Sequence, residues 1–111
     1  MTFYNVFYSV KDGIEEEKVA NLTLEFIEQL KSHQLITNAS CRKLSNKANF
    51  TQMPDFHVSV CFYNSDDMNE AFSFIKETLM KVYPHSELME SVKDFKVTFS
   101  EELRCKKELI K

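Results

Sequence analysis

At 111 residues, 43% hydrophobic and 28% charged with a net charge of −3, the chain has the size and balance of one soluble globular domain. Its basic residues are spread among acidic ones rather than gathered into a stripe, which argues against nucleic acid as a partner. The single glycine leaves no glycine-rich phosphate cradle, no apolar run is long enough to span a bilayer, and three scattered cysteines (Cys41, Cys61, Cys105) give neither a disulfide framework nor a cysteine-rich zinc site.

The first segment, "MTFYNVFYSVKDG", lacks the basic start and cleavage site of a signal peptide, so a reducing cytoplasm is the expected location. Residues 2–10 alternate as a strand: Tyr4, Val6, Tyr8 and Val10 make an apolar face, and Phe3, Asn5, Phe7 and Ser9 a mixed one. "KDG" breaks the strand. Asp12, with Glu15 three residues later, predicts a helix cap, and Val19, Leu22, Phe26, Ile27 and Leu30 recur at helical spacing to about His33.

Residues 36–45, "ITNASCRKLS", predict a short edge strand whose charges discourage further pairing, with Ala39, Cys41 and Lys43 alternating with Ser40, Arg42 and Leu44. A loop ending at Pro54 follows. In "DFHVSVCFY", Phe56, Val58, Val60 and Phe62 alternate with His57, Ser59 and Cys61, again giving one apolar and one mixed face. Ser65 is the expected cap of a second helix, with Met68, Ala71, Phe72, Ile75, Leu79 and Val82 as its buried stripe. Pro84 ends that helix, because its ring cannot continue the hydrogen-bond ladder.

"HSELMESV" predicts one or two more helical turns, burying Leu88, Met89 and Val92. "KDFKVTFS" makes a fourth strand, with Phe95, Val97 and Phe99 opposite Asp94, Lys96 and Thr98. Residues 1–103 thus read as a single α+β domain and 104–111 as a charged C-terminal tail, a frayed helix.

The order β-α-β-β-α-β is the split βαβ of ferredoxin-like folds. It predicts a four-stranded antiparallel sheet with strands one and three central, two helices on one face, and a short extra helix before the last strand. The helices must cover the apolar face. Phe3, Asn5, Phe7, Ser9, His57, Ser59, Cys61 and Tyr63 are then left on the other. A contiguous patch with two phenylalanines and a tyrosine marks an interface or a pocket. Its simplest cover is a second copy of the sheet, so a homodimer enclosing a two-subunit α/β barrel is expected.

Four stretches, "FYNVFYSVKDG", "CRKL", "DFHVSV" and "VKDFKVTFSEEL", resemble an uncharacterised bacterial family of similar length, over nearly the whole chain. The resemblance implies the dimeric α/β barrel superfamily. That superfamily includes cofactor-free monooxygenases of the antibiotic-biosynthesis type, muconolactone-isomerase-like enzymes and stress-responsive proteins of unknown activity. The family carries no established reaction.

The residues support two readings of function. In the first, a homodimer binds a small, partly apolar molecule in the barrel, as a cofactor-free monooxygenase- or isomerase-like enzyme with His57 as catalytic base. Asn5, Phe7, Ser9, Ser59 and Cys61 contact the ligand, and Arg42 draws an anion to the barrel mouth. In the second, the protein is a non-catalytic dimeric binding or regulatory protein whose mixed face is only the interface, with His57 fixing its register. Cys61 lies four strand positions from His57, ~13 Å along the backbone, too far for direct activation. An RNA-recognition sheet would need a basic surface that the chain lacks. His33, His57 and His85 fall on a helix end, a strand and a loop, with no spacing that implies a metal site. Neither metal nor cofactor is expected, and neither nucleic acid nor a membrane is an expected partner.

Overall fold

The computed structural model describes residues 1–103, so the tail at 104–111 and Cys105 lie outside the described residues. Strand β1 (Thr2–Val10) is followed by helix α1 (Glu16–Ser32), strands β2 (Asn38–Lys43) and β3 (Phe56–Phe62), helix α2 (Ser65–Phe74), helix α3 (His85–Ser91) and strand β4 (Val92–Glu101). The four strands form one antiparallel sheet in the order β2-β3-β1-β4, with β1 and β3 central. In this register Tyr4 stands opposite Val60, and Val6 opposite Val58. The apolar alternation of both strands therefore falls on one face. Val19, Leu22 and Ile27 of α1, Met68 and Ala71 of α2, and Leu88 of α3 pack against that face in a single core.

Several local expectations are corrected. Helix α1 begins after Glu15, which makes no side-chain cap. Asp12 cannot cap it, because Gly13 sits at φ 82 in a turn closed by the Ile14 N–H donating to the Lys11 carbonyl. Its carboxylate instead accepts from Lys93 Nζ at 3.2 Å. At the far end, Leu35 N–H donates to the Leu30 carbonyl and Gln34 N–H to that of Lys31, a Schellman closure with Gln34 in the left-handed region. Asn64, not Ser65, caps α2: its side-chain oxygen accepts from the Asp67 N–H at 2.8 Å, and Ser65 is the first helical residue.

Strand β2 is shorter than its expected span, although backbone bonds from Thr37 to Cys61 and from Leu44 to Asp55 continue the pairing at each end. After Phe74 the second helix widens into a π-turn over Ile75–Leu79, where the Met80 N–H reaches back to the Ile75 carbonyl. The extra residue per turn shifts the helical phase. Leu79 is still buried, but Val82 falls outside the stripe and is 46% exposed. Met89 likewise points outward, whereas Leu88 is buried.

Val92 is buried as expected, but as the first residue of β4 rather than the end of a helix. Phe7 pairs with Lys96 and Ser9 with Lys93, so Tyr8 alone stands opposite both Asp94 and Phe95. That is a β-bulge, with Asp94 at φ 53. The bulge changes the parity of the strand. Val92 and Val97 can thus both lie on the helix side, although strict alternation would put them on opposite faces.

Candidate functional site

On the mixed face the strand register lines the expected residues into rows. Arg42, His57, Phe7 and Lys96 stand side by side, and next to them Ser40, Ser59, Asn5 and Thr98. No described helix covers them, since the three helices share the opposite face. Asn5 joins polar groups on three neighbouring strands, β3, β1 and β4: its Oδ1 accepts from Ser59 Oγ at 3.1 Å, and its Nδ2 donates to Ser100 Oγ at 3.0 Å. The His57 ring lies flat on Phe7, with centroids 4.4 Å apart and planes 3° from parallel. Its Nε2 is buried without a hydrogen-bond partner among the described residues. Burial, and then the charge of Arg42, hold His57 below the usual histidine range, so the ring is neutral at physiological pH.

The remaining candidates are farther apart. Ser9 is buried at one end of the face, where its Oγ accepts from the Asp55 N–H at 3.0 Å and so anchors the loop entering β3. Cys61 lies at the other end, in the row of Phe3, with its Sγ 3.6 Å from Met1 Sδ. Arg42 donates to Ser40 Oγ at 3.1 Å along its own edge strand. Asn5, Ser59, Phe7, His57 and Arg42 thus form one continuous surface, and Ser9 and Cys61 mark its ends.

The cavity of the protomer itself lies on the opposite side, between the sheet and the helices. It encloses about 90 Å³, and its lining is apolar except for Tyr4, Tyr8, Thr23 and His85. Tyr8 and Thr23 are buried in its wall, at 4% and 5% exposure. Met89 and Phe95, 36% and 42% exposed, form its mouth together with the half-buried His85. Two wider hollows, of about 460 and 380 Å³, are surface depressions with acidic residues on their rims and neither histidine nor cysteine among their walls.

Two hydrogen bonds set the chemistry of the cavity, one joining Tyr8 Oη to Thr23 Oγ1 at 2.6 Å and one orienting His85. His85 Nδ1 lies 3.0 Å from the Met80 carbonyl oxygen. A carbonyl can only accept, so Nδ1 carries a proton, and of the two neutral tautomers the bond selects the one with its lone pair at Nε2. The ring is held in place against Phe26, with centroids 4.9 Å apart. Burial pushes the Tyr8 phenol up from its ordinary value of 10.0, so it stays protonated. Sequence reasoning missed this site. Thr23 did carry a signal, as a hydroxyl four residues from both Val19 and Ile27 in the buried stripe of α1. His85 carried none, since only the folded chain brings the start of α3 against α1.

The molecule is thus an α+β protein of ferredoxin-like architecture, with an apolar cavity under its sheet and an uncovered aromatic-polar face above it. The chain belongs to a family of unknown function (DUF6614), whose pattern matches residues 1–102. No curated protein matches it. Among solved structures it is similar to the protein At3g17210 of Arabidopsis thaliana, at 15% identity and TM-score 0.74, covering 95% of this chain and 98% of that one. It is also similar to a dimeric protein of unknown function and ferredoxin-like fold from Bacteroides fragilis (17% identity, TM-score 0.58, 91% and 95% covered). A third is a dimeric ferredoxin-like protein of unknown function from Thermobifida fusca (11% identity, TM-score 0.58, 89% and 88% covered). At these identities the likeness is one of fold, and it spans a plant and two bacterial proteins rather than marking a bacterial source.

Proposed function

We propose that the protein is a homodimer joined through the mixed face of its sheet, and that each protomer binds a small, mainly apolar molecule in the cavity between sheet and helices. His85 Nε2 is the proton acceptor at the mouth of that cavity. The cavity carries this reading: an apolar space lined by the hydrogen-bonded hydroxyls of Tyr8 and Thr23 and by a histidine whose Nδ1 is held by a backbone carbonyl. At about 90 Å³ it is smaller than the ~300 Å³ of common ligand pockets. Its occupant is therefore no larger than one ring, or places only an apolar end inside. Support for the dimer comes from Phe3 and Phe7 on a face that no described helix covers, and from structural neighbours that are dimeric. In a reducing cytoplasm Cys41 and Cys61 would remain thiols.

Toluene at millimolar concentration should shift the NMR resonances of Val60, Leu88 and Val92. Leu88→Phe, which fills part of the space, should abolish those shifts without unfolding the chain. Unmoved wild-type resonances would remove the binding reading.

A second reading places the ligand between the two sheets, against Asn5, Phe7, Ser9, Ser59 and Cys61, with Arg42 at the rim and His57 as base of a cofactor-free monooxygenase- or isomerase-like reaction. The unpartnered Nε2 of His57 favours it, because a buried polar atom calls for a partner that the protomer does not supply. A non-catalytic dimer meets the same demand with a group from the other subunit.

A further inference from the structure

We infer that the cavity selects uncharged ligands that bring a hydrogen-bond donor on an apolar frame, of which a phenol is the smallest aromatic example. This rests on the cavity being a binding site. The inference follows from where the protons of the core hydroxyls must be. Thr23 Oγ1 lies 2.9 Å from the Val19 carbonyl oxygen and 2.6 Å from Tyr8 Oη. Thr23 has one proton, and the carbonyl has none to offer, so Thr23 donates to Val19. Tyr8 must then donate to Thr23. With its proton spent inside the protein, Tyr8 Oη can turn only a lone pair toward an occupant.

The same count at the mouth leaves His85 with Nε2 as an acceptor, because its proton is committed to the Met80 carbonyl. The buried wall at Tyr8 and the ring of His85 therefore both ask for a donor. Among the described residues lining the space, only Tyr4, half-buried on the sheet side, keeps a hydroxyl proton with no described acceptor, and its ring meets Phe72 edge-to-face. Among the described residues no lysine or arginine lines the space, so a carboxylate would be stripped of water with none of them to pair it. A ketone or aldehyde would find a donor at Tyr4 alone among the described residues, and beside Tyr8 or His85 would set its oxygen against a lone pair.

The test is a set of NMR titrations with phenol, benzaldehyde, benzoate and toluene on wild type, Tyr8→Phe and Thr23→Val. Tyr8→Phe should weaken phenol by roughly tenfold, the size of one lost buried hydrogen bond, while toluene is unchanged. Thr23→Val frees the Tyr8 proton, so benzaldehyde should tighten severalfold while phenol stays as it was. Benzoate should not bind any of the three. Phenol affinity that ignores Tyr8→Phe, or benzaldehyde affinity that ignores Thr23→Val, overturns the inference even if toluene binds. Binding of benzoate in the cavity overturns it too. If even toluene fails to bind wild type, the cavity is no ligand site and the inference falls with it. Should one variant fail to fold, the other still decides, since each carries its own forecast.

Discussion

His57 is the residue at which the two uses of the mixed face make different forecasts. If its Nε2 meets ligand or water between the sheets, His57→Asn should leave the melting temperature nearly unchanged and abolish whatever binding occurs there. If a group of the partner subunit satisfies it, the same change should cost ~1–3 kcal/mol and several degrees. Acid gives a second handle. The folded protein holds His57 below its ordinary value of 6.5, first by burial and then by the Arg42 charge. The unfolded chain therefore takes up its proton first as the pH falls. The stability from the neutral ring is complete above about pH 6.5 and is lost as pH drops through the lower folded value. Thermal melts at about pH 7.5 and about pH 5.5 should show a smaller drop for His57→Asn than for wild type. Equal drops would show that protonation of His57 plays no part.

Among the elements, α2 separates what a local pattern says from what the chain does. The pair Asn64-Ser65 holds two good caps in a row, and sequence rules accept either. The structure gives the role to Asn64, because its extended backbone, at φ −157 and ψ 174, lets the side chain turn back to the Asp67 N–H. Asn64→Ala should thus lose ~1 kcal/mol, or about 4–8 °C in melting temperature, and Ser65→Ala should change it little. The reverse order would return the cap to Ser65. The bulge of β4 is another case. Phe95, Val97 and Phe99 share an alternation that is plain in the sequence, and Val92 breaks it. Only pairing with β1 shows that one added residue at Asp94 reconciles the two.

At the scale of the whole molecule, the proposed dimer depends on Phe3 and Phe7, which stand on the central strand of a face with no described helix over it. Wild type should sediment as a dimer at micromolar concentration. Phe7→Glu should dissociate or unfold it, since a carboxylate carried into a sheet–sheet interface loses more in desolvation than its cross-strand neighbour Lys96 returns. A wild-type monomer would remove the barrel, and with it the second reading of the mixed face, while leaving the helix-side cavity intact.

Strand alternation and helical spacing are local properties, and they were enough to read the element order, the central strands and the face that the helices cover. The row of Asn5, Phe7, His57, Ser59 and Arg42 was legible for the same reason, because period-two alternation puts strand residues on a face whatever the rest of the chain does. The cavity was not legible. It exists because α1, α3 and the sheet meet around Tyr8, Thr23 and His85, which are 15 and 62 positions apart in sequence order and share no periodicity. The space left between packed elements depends on how far their side chains fall short of filling it, a difference of a few methyl groups that no pattern along the chain records.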